Sequence, residues 1–257
     1  MDLSAAALLL GAAVLGCLPL TVVARRILRG GNRSRHHEIG SAVFLQLGAI
    51  YAVLLAFIFN EVYAEYVVAA QAINRECSGL HGAAMLAVAL PDPAGRDGVR
   101  HAMERYLGDV IHREWRTMAD GHPDEETEAA QVALMRAAVD VPAPDPSAQA
   151  TRGAMISQLL EAHANRETRL FEMSLTVPGL VWLLLFCITG VLVSLLVLAD
   201  IESFWPQAAL TAAFVGAIVF FLLVIRLLDN PFQGPLGLPA TDFRKTLERV
   251  EHPPTFP

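Results

Sequence analysis

Two polar side chains, Asn60 and Glu61, stand at the end of the apolar run Leu55-Ala56-Phe57-Ile58-Phe59 and are followed by Tyr63, Glu65 and Tyr66. Polar groups at a membrane boundary often mark an ion pathway, because they can replace part of an ion's hydration and select its sign. The same residue types also gather at the headgroup level as an interfacial belt. The residues alone leave both readings open. Glu61 lies one i+4 step beyond Phe57, about 40° around a helix, whereas Glu65 has turned about 80°. Glu61 is therefore the acid expected to share the face of Phe57.

Other chemistry finds little support. None of the eight His residues lies in an apolar stretch, where a membrane cytochrome needs its axial ligands. In His36-His37-Glu38 the two imidazoles point to different helix faces and five nearby Arg residues repel cations, so a solvated loop is expected and no metal site. His112-Arg113-Glu114 and His122-Pro123-Asp124-Glu125 lack metalloprotease spacing, and no phosphate-binding glycine loop, nucleophile elbow or paired-cysteine motif occurs. The chain is expected not to be an enzyme, and no cofactor is implied. Cys77 is the one cysteine outside the apolar stretches that hold Cys17 and Cys187, so no disulfide is expected within the polar region.

The elements that would position these groups follow from the spacing of charge. Residues 3–24, 39–59, 173–199 and 203–225 contain no Asp, Glu, Lys or Arg. A helix needs about 20 apolar residues to cross the hydrocarbon core, and only a helix satisfies its own backbone groups there. The fold class expected is an all-α membrane protein with four transmembrane helices, whose long helical extensions form an acidic extramembrane domain. The first stretch opens Met1-Asp2 with no basic residue before it and runs longer than a signal-peptide core, so it is expected to stay in the mature protein. Val14-Leu15-Gly16-Cys17 is followed by more apolar sequence, and lipidation is not expected.

Between Pro19 and Pro91 there is no proline, which predicts one long helix from Glu38 to about Ala89, some 75 Å in length, with Gly79 and Gly82 as points of interruption. Over Arg96–Met118, the residues Val99, Met103, Tyr106, Leu107, Val110, Ile111 and Trp115 recur at helical spacing and predict a core-facing stripe. Asp124-Glu125-Glu126 should open a short helix, Pro142, Pro144 and Pro146 should form a stiff linker, and a further helix should run from Ser147 through Ser174. Asp200-Ile201-Glu202 suffices only for a hairpin, so the last two membrane helices are antiparallel neighbours. Small residues from Ala208 to Ala217, including Gly216, allow close helix approach in lipid.

The chain thus divides into residues 1–59, with two membrane helices and a basic loop at 25–38; 60–177, an acidic helical domain; 178–228, two further membrane helices; and a tail at 229–257. Residues 60–177 hold 18 acids against 10 Arg, while 25–38 hold five Arg against Glu38. The loop arginines are read as a topology determinant or headgroup contact, and no nucleic-acid partner is expected.

Leu55-Ala56-Phe57, Asn60, Tyr63 and Tyr66 resemble in type and spacing the second transmembrane helix of bacterial bestrophins. Asp229-Asn230-Pro231-Phe232, with Gly234, resembles the turn after the last bestrophin helix. Together with Tyr51-Ala52-Val53-Leu54 and Glu114-Trp115, these motifs make the chain similar to the bacterial bestrophin-like domain family. The resemblance implies a pentameric ion channel whose second helices surround the pore, with an apolar neck at Ala49, Val53 and Phe57; Asn60 and Glu61, which follow that neck along the same helix, are the selectivity residues expected from their position and polarity. The sequence departs from the family's glycine at Ala56, and Ala49 implies a wider neck. Pro235-Leu236-Gly237-Leu238-Pro239 stands where animal bestrophins carry calcium-binding acids, so no calcium clasp is expected.

The leading expectation is a homo-oligomeric channel in a bacterial cytoplasmic membrane, with lipid and inorganic ions as its partners. A weak cation preference follows from a ring of Glu61 carboxylates. The rival is a non-conducting membrane-anchored scaffold or sensor. The five Arg of the first loop favour a cytoplasmic position for that loop, which would export the acidic domain, whereas Arg166, Arg169 and the basic residues of the tail favour the opposite. The resemblance implies a cytoplasmic domain, and that orientation is the one adopted.

Overall fold

The computed structural model describes the backbone of residues 3–27, 34–198 and 203–252, and the side chains of 4–16, 19, 22, 40–197 and 203–252. Among the described residues the chain is helical with no strand. The helices are α1 (Leu3–Ile27), α2 (Ser34–Val88), α3 (Pro93–Asp109), α4 (Trp115–Ala119), α5 (Glu125–Asp140), α6 (Pro146–Ser174), α7 (Gly179–Leu198), α8 (Phe204–Leu228) and α9 (Thr241–Glu251), with a π-helical turn at Val110–Glu114 joining α3 to α4. The side chains of the basic loop at 25–38, including His36 and His37, and the expected hairpin Asp200-Ile201-Glu202 lie outside the described residues.

Two compact units divide the chain, one of residues 1–64 and 176–230, the other of 65–175 and 231–257. In the first, α8 packs against α1 and α7, with Gly216 close enough to α1 that an added Cβ would lie 3.2 Å from a Val14 methyl. Its core joins Tyr51, Leu55 and Val62 of α2 to Leu185, Leu192, Ile218, Leu222 and Ile225. Among the described residues three helices are long and apolar enough to cross a membrane: the Gly40–Val88 stretch of α2, Gly179–Val197 and Phe204–Leu228. The sequence led us to expect four. The described apolar part of α1, Ser4–Gly16, is shorter than the roughly 20 residues a span requires, because the side chains at 17–18, 20–21 and 23–24 lie outside the described set.

The second unit is built on the far half of α2. Gly79 and Gly82 do not interrupt this 55-residue helix. They let α6 approach it: a Cβ on Gly79 would lie 2.8 Å from the Gln158 carbonyl oxygen, and one on Gly82 would lie 2.7 Å from the Gln158 side-chain oxygen. Helix starts are set by acidic caps. Asp92, Asp124 and Asp145 accept from the backbone N–H groups of Gly95, Thr127 and Ala148, satisfying donors that have no partner inside the helix. Pro146, expected in a linker, is the first residue of α6, where its missing N–H costs nothing. The tail contains the amphipathic α9, whose Phe243, Thr246 and Val250 are buried. It packs on α3.

Candidate functional site

Within the first unit, the residues of α2 fall on two opposite faces. With Ala49 as zero and about 100° per residue, Val53, Phe57, Asn60 and Ala64 fall within about 80° of it, while Tyr51, Leu55 and Val62 cluster near about 220°. The second set is buried. The first is exposed in the single chain, with Val53 at 56% and Phe57 at 71%. Ala49, Val53, Phe57 and Asn60 therefore form one uncovered line opposite the helix's own core. Glu61, at about 120°, flanks that line. It is exposed and has no ion-pair partner among the described residues.

The remaining motif residues serve packing and chain direction. Tyr63 is half-exposed and stacks on Phe59 with ring centroids 6.0 Å apart. Tyr66 donates its hydroxyl to the Leu236 carbonyl at 3.0 Å. Asp229 is buried, accepts from the Val177 N–H at 2.7 Å and pairs with Arg226 at 2.9 Å, which ties the end of α8 to the segment entering α7. Asn230 is partly buried and Pro231 buried. Phe232 is buried and meets the edge of Trp115 at 5.7 Å, and Trp115 donates to the Leu238 carbonyl at 3.0 Å.

The second unit holds a group of charges that sequence reasoning missed. Glu76, Glu114, Arg166 and Arg169 are each at most 1% exposed. Arg169 donates to both Glu76 oxygens, at 2.9 and 3.2 Å, and to Glu114 at 2.8 Å. Arg166 pairs with Glu114 through Nε and Nη2 and reaches Gln131 at 3.2 Å. Tyr106 donates its hydroxyl to Glu76 at 2.6 Å. The Arg169 guanidinium also lies over the rings of Trp115 and Phe243, at 5.4 and 5.2 Å. Two acids and two bases balance, so the group is buried without net charge.

Burial opposes the charge on both arginines, but the adjacent carboxylates outweigh it and hold each guanidinium above its ordinary range. Burial, reinforced by the Glu76 charge, raises the Tyr106 phenol well above its usual value, so it stays a donor. The π-helical turn adds one residue to the α3 register just before Glu114 and brings that side chain inward. Arg166 and Arg169, which the sequence analysis counted among the charges that bear on membrane orientation, are internal and paired with carboxylates. Among the described residues no three His, Cys, Asp or Glu side chains converge on a metal-sized site.

A family model for the Bestrophin-like domain matches residues 11–243. Comparison with curated proteins finds no match. Solved structures with similar folds include two of a bacterial bestrophin homologue from Klebsiella pneumoniae, each carrying one substitution to threonine. The first has a TM-score of 0.74 at 17% identity and covers 94% of this chain and 97% of that one; the second has a TM-score of 0.73 at 17% identity and covers 94% and 98%. A structure described as a membrane protein aligns with a TM-score of 0.71 at 16% identity, covering 94% and 96%.

Proposed function

The chain belongs to the Bestrophin-like family, and from that premise we propose that it forms a homo-oligomeric ion channel with α2 of each copy facing the symmetry axis. The observation that carries this reading is the uncovered line Ala49, Val53, Phe57 and Asn60, opposite the helix's packed face. An apolar neck of Val53 and Phe57 offers an ion nothing in place of its hydration shell and can close by dewetting. Asn60 follows on the same line, and Glu61 on its flank supplies a ring of negative charge that favours cations weakly. The pentamer, the cytoplasmic position of the acidic unit and α1 as a fourth span belong to the same proposal. Its 25 backbone residues reach about 37 Å, enough for a bilayer core.

A non-conducting scaffold would leave the Val53 and Phe57 face to lipid. The channel reading requires a closed symmetric ring with an axial cavity. Electron microscopy of the purified protein, with planar-bilayer recording, separates the two. A ring that passes current supports the channel, and a stable monomer without current refutes it. A reporter fused to the C-terminus tests orientation: activity confined to an exported reporter would reverse the assignment.

A further inference from the structure

We propose that the second unit carries a binding site for a small amphipathic organic anion, a carboxylate with a short hydrocarbon tail, at the junction of α2, α3 and α9. A cavity of about 240 Å³ opens there. Its floor includes the buried apolar residues Ala87, Val99, Met103 and Val250. Around it stand Arg96, Arg100, Arg249 and His81, with Asp97 the one acid in the lining.

Asp97 and Glu104 both pair with Arg100, at 3.3 and 3.1 Å, and neutralise it, so the positive charge offered to a ligand is that of Arg96 and Arg249. Arg96 donates to the Val88 carbonyl at 3.3 Å through one nitrogen, which leaves its other donors for a ligand. Arg249 has no ion-pair or hydrogen-bond partner for its side chain among the described residues. The Nδ1 atom of His81 is buried and likewise lacks a partner.

The sign of the site is informative because it opposes its surroundings. Residues 60–177 carry 18 acids against 10 Arg, yet this cavity gathers two of those Arg residues and adds Arg249 from α9. A guanidinium fork matches a carboxylate in geometry as well as charge, and an apolar floor suits a hydrocarbon tail. The volume sets the size. It equals roughly eight water-sized volumes of about 30 Å³ and falls just below the range of about 300 Å³ and upward that holds drug-sized ligands. Hexanoate, whose head and tail fit those two requirements, is the appropriate probe.

The test is calorimetric titration of sodium hexanoate into the full chain in phosphatidylcholine nanodiscs, with empty nanodiscs as the blank, and with acetate, inorganic phosphate and 1-hexanol as comparators. Hexanoate should saturate one site per chain, while each comparator binds at least about tenfold more weakly, since each lacks either the tail or the charge-assisted hydrogen bonds. Arg249→Gln should weaken hexanoate by about tenfold. Arg249 is exposed on the last turn of α9, so the fold should tolerate this change, and an unchanged melting temperature would show that it has. Arg96→Gln gives a second variant on a different helix.

Absence of saturable hexanoate binding to the wild type overturns the proposal. Equal binding of 1-hexanol reduces the site to an apolar crevice, equal binding of acetate or phosphate reduces it to a simple anion site, and each result overturns it. So does undiminished hexanoate binding in both variants. None of these readouts uses ion conduction, so the site stands or falls separately from the channel.

Discussion

Replacing Arg169 by Met tests whether the buried charges act as a connected group. Met preserves much of the side chain's volume and removes the guanidinium. Glu114 keeps its paired contacts from Arg166, whereas Glu76 keeps only the Tyr106 hydroxyl. The orphaned charge is therefore Glu76. Breaking a buried ion pair from one side costs about 3–5 kcal/mol, mostly for the carboxylate left behind. For a unit of this size that corresponds to a fall in melting temperature of about 10 °C or more.

Trp115 fluorescence gives the readout, because the Arg169 guanidinium lies over that ring. Trp182→Phe and Trp205→Phe remove the other two emitters. The geometry also predicts which second change restores stability. Adding Glu76→Gln to Arg169→Met should recover about 1–3 kcal/mol, the scale of coupling between contacting residues. Adding Glu114→Gln should recover nothing, since it strips Arg166 of its carboxylate partner in the group. A melting temperature for Arg169→Met within about 2 °C of the wild type, near the few tenths of a kcal/mol of an ordinary surface change, would refute the argument. Equal rescue by the two glutamine substitutions would refute it as well.

Phe57→Ala should raise unitary conductance in planar bilayers while the oligomer stays intact; unchanged currents from an intact oligomer would remove Phe57 from the neck. Glu61→Gln should lower the cation-to-anion permeability ratio measured from reversal potentials across a salt gradient, and a wild type that already prefers chloride would contradict the acidic ring. Gly79→Ala adds a methyl 2.8 Å from the Gln158 carbonyl oxygen, so overpacking of about 1–3 kcal/mol should outweigh the gain of about 1 kcal/mol in helix propensity, with a net loss of stability in thermal unfolding. Glu172 is 7% exposed, its Oε2 has no hydrogen-bond partner among the described residues, and burial raises its pKa. A carboxyl raised in the folded state favours folding below its unfolded pKa and loses that contribution as pH rises through the folded value. Glu172→Gln should therefore stabilise the protein at neutral pH, and its advantage over the wild type should shrink on acidification. An advantage that is flat with pH would show that charge burial is not the cause.

What the sequence disclosed and what it withheld divide by the range of the interaction. The apolar helices were legible because hydropathy accumulates along a segment and needs no partner. Asp124 was legible as a helix start for the same reason, since its bond to the Thr127 N–H spans three residues. The charge network joins residues 52, 55 and 93 positions apart, and each of them alone resembles a solvated charge. A signal was nevertheless present. On α6 the sequence Met155, Leu159, Ala162, Arg166, Arg169, Met173 advances by four and three residues in turn, and on α2 so does Ala69, Ile73, Glu76, Leu80, Ala83, Ala87. Both are single apolar stripes with charges at positions that must face the core. A charge confined to such a stripe requires an opposite charge on the facing stripe, because burial without one costs several kcal/mol. Arg166 and Arg169 on one helix and Glu76 on another meet that requirement, whereas the inserted residue of the π-helical turn obscured the register that brings in Glu114. Glu61 differs at this point: it lies on no buried stripe and has no ion-pair partner among the described residues, which is what the proposed ring of negative charge requires of it.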